Sequence, residues 1–217
     1  MLLKSNIWPL TFFALFLLCT GLSGGSYAET RQIKYKSDHW EFVLPPSIKP
    51  VSFLKSGFAA KEELGSPYHS IVFQVLQDGS IPYDHPTHDD QQRKVFLRQI
   101  LPYIVAERRS ETAEERNDRV VSSSTSSLPS GFVPAGEICG GFQWKSTDKG
   151  VPGHIGKTFA MEGYTLICLG SRTKSKTAEY VEIVFSERYC RELGHSPTKD
   201  FQRTARRILT QVRYLRD

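Results

Sequence analysis

The chain has 217 residues, 28 basic and 23 acidic, and a net charge of +5 at neutral pH. That length suits one domain able to bury a sizeable core. The mild basic excess could favour anionic surfaces, but it is interspersed with acidic residues and reads better as an ordinary solvated exterior, so no nucleic-acid partner is expected.

Residues 1–28 follow the grammar of an export signal. Lys4 precedes an uncharged run from Ile7 to Cys19, and Ser26-Tyr27-Ala28 sets small residues three and one before a cut ahead of Glu29. A bilayer span needs about 20 apolar residues, and Gly21, Ser23, Gly24, Gly25 and Ser26 interrupt the run too early. Processing at Cys19 would instead tether the chain by lipid, although Leu18 stands where such sites carry a small residue. The expectation is a periplasmic or secreted protein, released by cleavage near Ala28, with residues 29–217 forming a single α+β domain. No later segment is apolar for long enough to cross a bilayer.

Alternation in Gln32 to Lys36 and in Trp40, Phe42 and Leu44 predicts two short strands. Pro45-Pro46 and Pro50 then force a turn. Phe53 to Glu63 and His69 to Gln77 form a further predicted pair around Gly65-Ser66-Pro67. Asp78 to His88 is a predicted loop, after which Thr87 caps a helix bearing Phe96, Ile100 and Ile104 on one face. Pro102 is expected to kink or split that helix. The charged and Ser-rich stretch near 108–130 is predicted as an exposed loop.

Four strands are predicted next: Glu137 to Ser146, His154 to Met161, Tyr164 to Ser171 and Glu179 to Arg188, with Glu162-Gly163 as the turn of the middle hairpin. Phe201, Ala205, Ile208, Leu209, Val212 and Leu215 follow helical spacing to the end of the chain, with arginines on the other sides, and predict a helix that closes the core. Trp40, Trp144, Tyr164 and Phe185 read as core residues.

Three cysteines follow the signal, Cys139, Cys168 and Cys190, and in an oxidising compartment two of the three can pair. Asp84, His85, His88 and Asp89 form the only local cluster with metal-ligand composition, suited to a divalent ion such as zinc. A helix start rich in acids explains the same residues without a metal, and Pro86 prevents His85 and His88 from sharing one helical face. His39, His69, His154 and His195 are scattered and match no local pattern. A formal G-x-S-x-G at Gly21 to Gly25 lies inside the signal and lacks the strand and helix that a nucleophile elbow needs. No phosphate-binding or dinucleotide motif is present.

The order of elements, two short strands into a Pro turn (Trp40 to Pro46), two more strands, a helix, a strand meander and a closing amphipathic helix ending in Gln211-Val212-Arg213-Tyr214-Leu215, resembles the PsbP-like α/β/α sandwich, named for an extrinsic subunit of photosystem II. The resemblance covers most of residues 29–217 and is one of layout. It implies a central, mostly antiparallel sheet covered by helices, and a small non-enzymatic binding or assembly-assisting protein. It transfers no site residues. The expected partner is a protein or small ligand of the exported compartment. The alternative is a divalent-metal-binding protein or metal-dependent hydrolase using the Asp84–Asp90 cluster.

Overall fold

The computed structural model describes residues 33–36, 39–54, 57–82, 89–114, 120–149, 154, 156–170 and 177–215. The predicted export signal and the segment holding Asp84, His85 and His88 lie outside them.

Alternation makes the first elements. Ile33–Lys36 (β1) and Trp40–Leu44 (β2) form an antiparallel pair, and Arg213–Tyr214 (β10) joins β2 on its other side. Trp40, Phe42 and Leu44 are buried while Glu41 and Val43 are only partly so, the period of two that a one-sided sheet requires. Pro45 accepts the N–H of Ile48, closing the predicted turn.

The larger sheet contains Lys49–Leu54 (β3), Gly57–Ser66 (β4), His69–Pro82 (β5), Val120–Ser127 (β6), Ile138–Asp148 (β7), Phe159–Gly170 (β8) and Thr177–Tyr189 (β9). Its order is β3-β4-β5-β9-β8-β7-β6, with every neighbouring pair antiparallel. Cys168 and Leu169 are successive residues of β8, and they pack into different clusters. On one face, Leu166, Cys168, Ile183 and Phe185 meet the small sheet and Phe201–Leu209 (α2). On the other, Leu169 and Ala178 meet Leu97 and Leu101 of Asp90–Glu114 (α1). The domain is α+β, with a central antiparallel sheet between helices.

Several sequence expectations need correction. Glu162-Gly163 is no turn, because β8 runs through it. Gly163 lies directly opposite Trp144, and a Cβ there would stand 2.6 Å from the indole. The glycine makes room for an aromatic ring. Residues 108–130 are not one loop: α1 continues to Glu114 and β6 supplies an edge strand, with exposed hydroxyls and with Arg109 donating to the hydroxyl and carbonyl of Thr125. Pro102 sits inside α1, whose Phe96, Ile100, Leu101 and Ile104 pack on the sheet from both halves. The closing helix ends at Leu209. Val212 and Tyr214 are buried as part of an extended segment, and Tyr214 packs on Trp40 and on Gly170, where a Cβ would lie 2.2 Å from its ring.

Cys139 pairs with Cys168, which stands directly across from it on the next strand, and Cys190 is free and buried. Closing a loop between residues 29 apart restricts the unfolded chain by about 3–4 kcal/mol. A Cys139→Ala/Cys168→Ala variant should therefore lose stability of that order in urea unfolding. In the wild type truncated to residues 29–217 and unfolded without reductant, alkylation should label Cys190 alone. Labelling of Cys139 or Cys168 would exclude this pairing.

Candidate functional site

Where the apolar packing on the α2 face ends, the sheet turns polar in two rows that run across its strands. The first is Ser122, Thr147, Ala160, Tyr189 and His69, each the direct cross-strand partner of the next. The second is Ser124, Lys145, Glu162 and Glu187. Residues two apart on a strand share a face, so both rows belong to the face that carries Leu166 and Ile183.

Glu162 and Glu187 are opposed like charges, an arrangement that costs free energy unless each is compensated. Both are. Lys145 approaches Glu162 to 3.2 Å. Glu187 is fully buried, and its Oε1 lies 2.6 Å from Nε2 of His69, within hydrogen-bond distance. The same oxygen accepts the N–H of Thr198 at 2.8 Å and the Thr198 hydroxyl. Thr198 lies in the connection between the short 3₁₀ turn Arg191–Leu193 and α2, so this carboxylate ties the start of the closing helix to the sheet. The rings of His195 and Tyr189 stand 5.6 and 6.0 Å from His69.

A buried carboxylate that orients an imidazole is the arrangement hydrolytic relays use. The neighbouring hydroxyl does not complete one: Ser70 follows His69 on β5 and therefore points to the opposite face, where it is buried.

Beside this pair lies a half-open recess of about 170 Å³. Ser122, Ser124 and Thr147 bring hydroxyls, Lys145 and Glu162 bring charge, and Tyr189 closes one side. Arg191 stands over the Tyr189 ring at 5.7 Å and donates to its hydroxyl at 3.4 Å, contacts that hold the guanidinium charge and push its pKa further up.

On the reverse face of the same strands, Arg188 lies 5.0 Å over the ring of Phe159, and His154 packs 4.9 Å from Tyr68 and 5.4 Å from Phe159. Burial lowers the Arg188 guanidinium, opposed by Asp148 and Glu63. Burial, followed by the charges of Arg188 and Lys61, holds the His154 imidazole below its ordinary value.

Of the predicted metal ligands, Asp84, His85 and His88 lie outside the described residues. Asp89 caps α1: its Oδ1 accepts the N–H of Gln91 at 2.8 Å, the role that Thr87 was expected to fill. Among the described residues no three His, Cys, Asp or Glu side chains gather as a metal site. His39 pairs with Glu179 at 3.0 Å. The polar rows were missed because five strands contribute them. The traceable signal was the alternation of β5 and β9, which, once paired, brings His69 to Tyr189.

Compared with known proteins, the chain matches no family model and no curated sequence.

Because folded His154 binds its proton more weakly than the unfolded chain does, its contribution to stability is complete above about pH 6.5. It is lost as pH falls toward the lower folded value. His154→Phe keeps the ring packing and removes the titration, so its urea midpoint should fall less than wild type's between pH 7 and pH 5. Equal losses would mean that other groups govern this range.

Proposed function

We propose that this chain is an exported, non-catalytic binding or assembly-assisting domain whose ligand sits in the recess formed by β6 to β9 and the Arg191 turn. The observation that carries this reading is the hydroxyl-lined recess itself, built on paired strands. The disulfide supports an oxidising compartment. No helix among the described residues is long and apolar enough to cross a membrane. The binding or assembly role is the one that the resemblance to the PsbP-like layout implies.

Ser124→Trp should fill the recess while leaving the fold intact, because Ser124 is exposed on an edge strand. A ligand at a hundred times its Kd adds about 2.7 kcal/mol, a rise in Tm of about 5–10 °C for a domain of this size. Thermal melts against a panel of small polar ligands should show such a rise in wild type and its loss in Ser124→Trp. Turnover of glycoside, ester or phosphoester substrates that depends on His69 and Glu187 would replace the binding reading with an enzymatic one.

The second proposal, a divalent-metal protein or metal-dependent hydrolase, rests on Asp84, His85, His88 and Asp89. Under the binding reading, protein stripped with chelator and reloaded with zinc should retain less than one equivalent after desalting. One retained equivalent, lost in His85→Ala/His88→Ala, would establish the metal site instead.

A further inference from the structure

We infer that the recess takes a sugar acid: a hydroxylated six-membered ring carrying one carboxylate, of the uronate type. This rests on the reading of the recess as a binding site and adds its ligand class. The charge balance comes first. Lys145 and Arg191 face the recess against the single carboxylate of Glu162, leaving one excess positive charge. Lys145 is ion-paired with Glu162, and Arg191, held against the Tyr189 ring and hydroxyl and within the field of Glu162, carries the planar fork of donors that suits a carboxylate.

The remaining lining speaks for a polyol. Ser122, Ser124 and Thr147 stand on adjacent strands at fixed spacing, and hydroxyls both donate and accept, as the hydroxyls of a sugar do. Glu162 accepts only, which suits a ligand O–H and repels a second anion. Ala160 and Tyr189 add apolar surface for the C–H face of a ring. A bare phosphate would leave these hydroxyls and this apolar patch unused. An extended peptide would instead seek the free edge of β6, where Arg109 already occupies the carbonyl of Thr125.

The test is an NMR titration of residues 29–217 with galacturonate, its uncharged methyl ester, galactose and inorganic phosphate. Galacturonate should give saturable shifts at Ser124, Lys145, Thr147 and Arg191. The ester and galactose should bind at least about tenfold more weakly, the equivalent of about 1.4 kcal/mol. Arg191→Gln should lose about tenfold toward galacturonate and nothing toward galactose, with unchanged thermal unfolding. Digalacturonate acting on the same amides more tightly would mark a glycan end as the source, and equal binding would mark a free sugar acid. Equal binding of ester and acid would overturn the inference and keep the binding reading, as a neutral-sugar recess. Phosphate binding as tightly as galacturonate would also overturn it, as a simple anion spot. Silence of the recess toward all four, with Ser124→Trp abolishing no other ligand's thermal shift, would overturn both.

Discussion

The register of β5, β9 and β8 is the constraint on which the rest depends. These strands are covered on both faces, so successive residues must satisfy two different neighbours: Leu166 and Cys168 face α2 and the small sheet, and Leu169 faces α1. A slip of one residue would exchange every pair of faces at once. Two devices pin the adjoining β7–β8 ladder, the Cys139–Cys168 bridge and the seat of Trp144 over Gly163. With that register set, Lys145 meets Glu162, Glu162 meets Glu187, and Tyr189 lies between Ala160 and His69. The polar rows are a consequence of the ladder and need no loop to assemble them.

Two buried carboxylates on β9 connect the sheet to its covers. Glu182 points to the α1 face and receives Arg108 at 2.7 Å, while Glu187 points to the α2 face and receives His69 and Thr198. Pairs of this kind return little net stability, because desolvation offsets most of the attraction. Their effect is on placement. An apolar face alone lets a helix slide by a turn, whereas a carboxylate bonded to Arg108 or to Thr198 accepts one position. Each cover is thus fixed by packing in depth and by charge along its length.

Alternation was legible in Trp40, Phe42 and Leu44 and in Val181, Ile183 and Phe185 because these apolar positions are buried on one face of their strands, and the aromatic core followed from it. Gly163 was misread because a Glu-Gly pair is also what a turn looks like, and only Trp144, from another strand, shows that the glycine serves space. The Ser-rich β6 was misread because its composition favours solvated loops, and it is a strand only through its ladder to β7. Helical spacing at Val212 and Leu215 is numerically valid, yet the chain leaves the helix after Leu209 so that Tyr214 can reach Trp40 and Gly170. His69 and Glu187 stand 118 residues apart, and no local pattern could have joined them.

The position of the polar rows follows from the same logic. The α2 layer carries Phe201, Ala205, Ile208 and Leu209 over the middle of the sheet, while β8 and β9 extend beyond it. Strand residues past the edge of a cover have nothing apolar to meet, so the inward positions of the two rows could be polar without disturbing the core. Glu187 sits at that boundary, buried by the connection to α2 yet directly beside Glu162 of the recess. Any change of charge at Glu162 therefore acts on the carboxylate that secures α2, because one cross-strand pair separates the recess from the closing helix.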